Sequence, residues 1–396
     1  NENGDKMNKE FGFAAIALML ASAWPSMAAA DVKVGFLGTL SGPSAAVGQD
    51  QLDGFNLAVE QLSGKLGGVK AAVLVEDDQQ KPEVAQNALS KLLEREKVDV
   101  VVGLTFANIL MSLQPKIANT DVPFVGTVAG PSPTAGAQCK PNLFITSWQS
   151  DVPAEAVGKY MNDKGFKRIS TLTPNFVGGK DKIAGLKRAY KGEVVNEIYT
   201  PLSQLDFSAE LTQVNASKPE AVFIFYPGAL AVSFVRQYKQ AGLSEKYPLY
   251  SANSIEGASA DAMGDAAVGA VAGDTWTPGM ANAQSRQFVA AFKARYKRSP
   301  SAYAAFSYDA AVMLNAAIAS LNGNVSDHKA LSKAIKNAKF DSVRGAFRFG
   351  NNNYPVQSYH IFRIAKDAAG HIAYEMVAPD VLKDYADPYA KQCTMS

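Results

Sequence analysis

The side chains that commonly carry out chemistry are sparse in this chain and poorly spaced for it. Its three histidines, His328, His360 and His371, lie at no helical spacing from one another or from a cysteine, so neither a metal cage nor a histidine-activated nucleophile is expected. No G-x-S-x-G elbow occurs. Gly178-Gly179-Lys180 has the outline of a phosphate loop, but Pro174 stands at the first glycine position and Asp181 at the hydroxyl position. Asp77-Asp78 is a carboxylate pair ahead of Pro82, where a solvated cap for the next helix fits better than acid–base work. The expectation is a protein without catalytic residues, metal or cofactor.

What remains has binding character, and it gathers where strands give way to helices, the positions from which α/β sheets hold ligands. A short apolar strand, Val32–Leu37, empties into a small-residue loop from Gly38 to Gly48 that carries Ser41 and Val47. A helix follows, with Leu52, Phe55, Val59 and Leu62 at helical spacing. A second loop holds Thr105, Phe106, Ala107 and Asn108, and a third is Ala129-Gly130-Pro131-Ser132. In the second half Asn175-Phe176, Tyr226-Pro227-Gly228 and Asn253 take equivalent places, and Trp276 lies where the chain turns back. Backbone N–H groups at such helix starts suit a small anion, and aromatic rings stack on flat ligands.

These loops need a scaffold. Short β-rich runs alternate with amphipathic helices, which predicts an α/β fold with mainly parallel sheets. Strands are expected at Val32–Leu37, Ala71–Glu76, Val98–Gly103 and Val122–Val128, then at Arg168–Thr173, Glu193–Ile198, Ala221–Tyr226 and Pro248–Ser251. After Trp276 come helices near Gln284–Lys297, Ser301–Leu321 and Asp327–Ala338, and then a β-rich tail. The expectation is two doubly wound lobes with several crossings between them. Residues 31–147 with 278–341 make the first, 148–277 with 342–380 the second, and 381–396 a tail packing back toward the first. The 396 residues and 47% hydrophobic content allow two cores. A net charge of +2 without basic–aromatic clusters argues against nucleic-acid binding.

Residues 1–30 read as a short extension followed by a secretory signal peptide: Lys9, the apolar run Phe11–Ala23, and the small-residue site Ser26–Ala30. The mature chain is then expected to start near Asp31, in the periplasm. In an oxidising compartment the two cysteines, Cys139 and Cys393, favour one structural disulfide, with two buried thiols as the alternative.

On these residues the chain resembles the type I periplasmic solute-binding proteins of ABC transporters, in the leucine/isoleucine/valine-binding group. The most specific part is VKVGFLGTLSGPSAAVGQDQLDGFNLAVEQL, supported by VEDDQQKPEVAQNALSKLLEREKVDVVVG, VRQYKQAGL and AYAAFSYDAA. The resemblance implies two Rossmann-like lobes, three hinge crossings, and a monomeric receptor that closes on a solute and delivers it to an inner-membrane permease. Amino-acid-binding members hold the head group with a serine where this chain has Ala107, and with a second-lobe acid where it has Asn253. Their first-loop aromatic becomes Val47 here. Phe106, Phe176, Tyr226, Trp276 and Tyr303 point instead to a flat aromatic acid of the benzoate or hydroxycinnamate type. Phe106 and Trp276 are expected to sandwich its ring, Ser41 and Thr105 to meet its carboxylate, and Tyr226 and Asn253 to read a ring substituent. Ala129-Gly130 matches a backbone-contact loop. A branched-chain amino acid or amide ligand, or a sensory role for the same fold, is the alternative.

Overall fold

The computed structural model describes residues 31–395, so the expected leader lies outside the described residues. The first sheet contains β1 (Val32–Gly38), β2 (Lys65–Leu66), β3 (Val69–Asp77), β4 (Val100–Gly103), β5 (Phe124–Gly126) and β6 (Leu143–Ile145), in the order β2-β3-β1-β4-β5-β6. Apart from the β2–β3 hairpin, its strands are parallel. The second contains β7 (Arg168–Pro174), β8 (Glu193–Thr200), β9 (Ala221–Ile224), β10 (Leu249–Ala252), β11 (Val271–Asp274), β12 (Arg348–Phe349) and β13 (Pro355–Lys366), in the order β12-β13-β11-β10-β9-β7-β8. Strand β14 (Ile372–Tyr385) pairs antiparallel with β13.

Central strands such as β1, β4 and β9 are nearly continuous apolar runs, because both faces of the sheet are covered there, whereas strands such as β8 and β14 are partly exposed. In β1, Val34 and Phe36 pack toward the Ala45–Gln61 and Ala302–Ser320 helices, while Leu37 turns to a separate core with Leu89, Ile109 and Leu113. Strand β9 divides its residues the same way: Val222 and Ile224 on one face, Ala221 and Phe223 on the other. Three strands go beyond the sequence expectation, among them the two-residue β2 of the hairpin before β3. Strands β6 and β11 have only three and four residues, too few to display a period.

The helices after Trp276, at Ala283–Tyr296, Ala302–Ser320 and His328–Asn337, pack on the first sheet's side. The chain therefore crosses between lobes three times: after β6, after β11, and before β12. The third crossing is fastened by Arg344. Its Nε donates to Asp309 at 2.9 Å and its Nη1 to Gln357 Oε1 at 2.7 Å and the Ser147 carbonyl at 3.3 Å. After β14 the tail returns to the first lobe, where a disulfide joins Cys393 to Cys139.

Asp77 and Asp78 do not cap the helix starting at Pro82. Asp78 accepts from the Thr39 hydroxyl at 2.6 Å and Asp77 from the Leu40 amide at 2.9 Å. The pair staples the first binding loop to the end of β3, because parallel neighbouring strands bring their carboxyl ends together.

Candidate functional site

The carboxyl ends of both sheets face one cleft. It encloses about 420 Å³ of empty space, part of it open to solvent. From the first lobe it is lined by Val47, Thr105, Phe106, Ala107, Val128 and Ala129, and from the Ala302–Ser320 helix by Tyr303. The second lobe gives Phe176, Gly178, Lys182, Phe225 and Pro227, and the first crossing gives Trp148 and Ser150. The lobes touch around it. The Ser132 amide and hydroxyl donate to Asp181 at 3.0 and 2.8 Å, and the Tyr303 hydroxyl donates to the Asn253 carbonyl at 2.7 Å.

The two walls repeat one local device. Phe106 precedes the Ala107–Ala118 helix and Phe176 the Val177–Ala189 helix, each in extended backbone and each without a side-chain cap. The first N–H groups of both helices are thus left without a side-chain acceptor at the cleft, and each terminus carries a partial positive charge. The two rings meet edge-on at 6.1 Å, and Phe176 stacks on Phe225 at 6.2 Å. On the opposite side Trp148 lies 6.0 Å from Tyr303. Gly130 makes this corner possible: a Cβ there would lie 2.1 Å from the Trp148 carbonyl oxygen. Its own carbonyl accepts from the Ser150 amide at 2.7 Å.

Lys182 sits between the aromatic groups, its Nζ 5.3 Å from the ring centres of both Trp148 and Phe225. It is the only charged residue of the lining and is 2% exposed. Its ammonium donates to Asn253 Oδ1, and Asn253 Nδ2 donates in turn to Asp274 at 2.5 Å. Burial pulls the Lys182 amine down to about 7, against the pull of Asp274, Asp151, Asp181 and Glu256. Burial likewise pushes Asp274 and Asp181 up to about 6 and raises Glu256. Two non-glycine residues with positive φ flank the cleft, Leu104 at 61° and Asn253 at 58°, so each wall holds a strained residue beside its strand end.

The hydroxyl of Thr105 is committed within its lobe. Thr127 Oγ1 donates to the Gly103 carbonyl, so it must accept from Gln51 Nε2 at 2.7 Å. Gln51 Oε1 then faces Thr105, whose hydroxyl donates to it at 2.6 Å while accepting from the Thr39 amide at 3.0 Å. No hydrogen is left on Thr105 for a carboxylate. The Ser150 hydroxyl has no protein partner among the described residues and lines the cleft.

The cleft brings together Val47, Thr105, Phe106, Ala107, Ala129, Phe176 and Tyr303 from the residues singled out by sequence. It does not bring in the others. Ser41 is exposed and bonded to Asp77. Asn108 is not among the lining residues, and Gly130 acts behind them. Tyr226 is buried among Phe207, Phe234 and Tyr238, with its hydroxyl on Thr200; one residue earlier, just past the end of β9, Phe225 takes the cleft side. Trp276 is fully buried against Phe288, its Nε1 donating to Ser285 at 2.9 Å, so it cannot sandwich a ring in the cleft. Asn253 stands behind Lys182 as its acceptor.

Trp148, Ser150, Lys182 and Phe225 were not anticipated. A signal for Lys182 exists: Gly178, Lys182 and Leu186 recur every four residues and all are buried, so the lysine lies on the packed face of its helix. No metal-binding cluster and no helix able to cross a membrane occurs among the described residues.

Comparison with known proteins agrees with this architecture. The Leu/Ile/Val-binding protein homolog 6 of Brucella melitensis is 26% identical over 364 residues, covering 88% of this chain and 92% of that protein. A solute-binding protein of an ABC transporter from R. palustris, solved in complex with benzoate, superposes with a TM-score of 0.86 at 29% identity, covering 92% of this chain and all of that one. Another from Rhodopseudomonas palustris BisB5, in complex with 3,4-dihydroxybenzoic acid, gives 0.84 at 25% identity over 90% of this chain and 99% of that one. The periplasmic binding protein family model matches residues 31–369, nearly all of the two-lobed body. By that match the chain belongs to the periplasmic binding protein family, as a solute-binding receptor of ABC transporters and not an enzyme.

Proposed function

We propose that this receptor captures a small aromatic carboxylate, of the benzoate or hydroxycinnamate type, and presents it to an inner-membrane ABC permease as a monomer. The observation that carries this reading is the sign of the cleft's polar groups. Two uncapped helix N-termini and one buried ammonium converge among aromatic rings, and no carboxylate joins the lining. Such a site attracts an anion and repels an α-ammonium group. The ligand's carboxylate meets Lys182, the helix-start amides after Phe106, and the Ser150 hydroxyl. Its ring lies among Phe106, Phe176, Phe225 and Trp148.

A ligand held by both lobes favours the closed arrangement through its contacts to each. The benzoate and dihydroxybenzoate held by the solved relatives support the ligand class. The leader expected in residues 1–30 supports the periplasmic location. Trp148 in the cleft provides the test. Intrinsic fluorescence should change saturably with benzoate and p-coumarate and stay flat with leucine. Saturation by leucine with no response to either aromatic acid overturns the reading.

A further inference from the structure

We propose that the cleft takes up a proton together with its carboxylate ligand, with the Lys182 amine as the group that receives it. The inference rests on the carboxylate reading above and adds a second ligand, the proton, to the same site.

Lys182 occupies a place that disfavours a lone ammonium. Among the described residues, the only hydrogen-bond partner of Nζ is a neutral amide oxygen, Asn253 Oδ1, and no carboxylate lies within ion-pair distance. The acids around it are engaged elsewhere. Asp274, at the end of β11, is reached only through Asn253 Nδ2, and Glu256 lies beside Asp274 while accepting from the Ala302 amide at 2.9 Å. Asp181, the preceding residue, is turned to Ser132. Asp151, ahead of the Val152–Asp163 helix, is held by Arg188 and the Tyr389 hydroxyl. The first lobe brings no charged side chain to the lining, and its Tyr303 hydroxyl is spent on the Asn253 carbonyl.

An amine in such surroundings, which burial draws down to about 7, is largely neutral in mildly alkaline solution. A carboxylate placed against Nζ supplies the missing counter-charge and restores the ammonium. The balance is simple. The amine lone pair takes one proton from solvent, the ligand keeps its negative charge, and the pair formed in the cleft is neutral overall. Affinity then falls about tenfold for each pH unit above the pKa of the free amine and levels off below it.

The test is calorimetric titration of the whole protein with benzoate at pH 8, in two buffers of different ionisation enthalpy. The expected result is uptake of about one proton per ligand, shrinking toward zero by pH 6, and absent in Lys182→Arg, whose guanidinium stays charged. Binding without proton uptake overturns the proposal, as does uptake that persists in Lys182→Arg, which assigns it to the Asp274–Glu256 pair. If Lys182→Arg fails to fold or bind, carbon-13 NMR of labelled lysine in the ligand-free protein decides. The signal missing from Lys182→Met must titrate near neutral pH; a signal that titrates with the surface lysines overturns the proposal. Failure of benzoate to bind at pH 6 is a separate result, and it removes the carboxylate reading itself.

Discussion

Two buried cations in this molecule can be set side by side. Arg344, on the third crossing, and Lys182, in the cleft, are both almost wholly removed from water. Arg344 touches a carboxylate directly, adds two neutral oxygens, and has its guanidinium centred 4.8 Å from the Phe306 ring and 4.7 Å from the Phe347 ring. Lys182 also lies over two rings, yet holds a single amide oxygen. The charge at the hinge is compensated within the protein, and that in the cleft is compensated only through a neutral intermediary. The difference separates a charge that fixes structure from one that waits for a partner, since an ion buried without a contacting counter-ion is costly until one arrives.

The contrast can be broken by exchanging the fates of the two cations. Asp309→Ala should have the largest effect, leaving Arg344 buried and unpaired at a cost of about 3–5 kcal/mol in urea unfolding, with benzoate affinity of the folded fraction unchanged. Lys182→Met should invert that pattern. Affinity should drop by about 2–3 kcal/mol, roughly 30- to 150-fold by calorimetry, while stability holds or rises because an under-compensated charge has been replaced by a thioether of similar length. Equal losses of stability in both variants would remove the distinction. Ser150→Ala sharpens the picture of the cleft, since a single neutral hydrogen bond to ligand is worth about 1 kcal/mol, or roughly fivefold in affinity. Asp181→Asn should have the smallest effect, about 1 kcal/mol or less, because it weakens the Ser132 contact across the closed cleft without touching ligand. Small-angle scattering of the ligand-free variant should show a larger radius of gyration than the parent.

Most of the scaffold was legible in the chain. Continuous apolar runs such as Val32–Leu37 and Ala221–Ile224 carry the strand signal because both faces of the sheet are covered there. The site was legible in its loops and less so in its side chains. Choosing Tyr226 over Phe225 selects the wrong side of the segment just past β9, where the side-to-side alternation of the strand carries on beyond Ile224. Trp276 stands at a crossing, but the aromatic residue alone does not show that the next helix, through Phe288 and Ser285, folds back over it and seals it from the cleft. Lys182 was hidden because one helix's pattern shows a packed face without saying whether protein or ligand packs there. Thr105 reads as a free hydroxyl until the orientations of Gln51 and Thr127 are known, and those depend on three separate strand ends.

The bond between Cys139 and Cys393 has a mechanical side. Val32 begins a central strand of the first lobe, and Cys393 is clamped to that same lobe although the strand preceding it, β14, belongs to the second. Tension applied between the two ends of the described chain therefore runs through the first lobe alone. The second lobe hangs from it outside the line of force, so a pull at either end cannot pry the cleft open, and opening is governed by what the cleft holds.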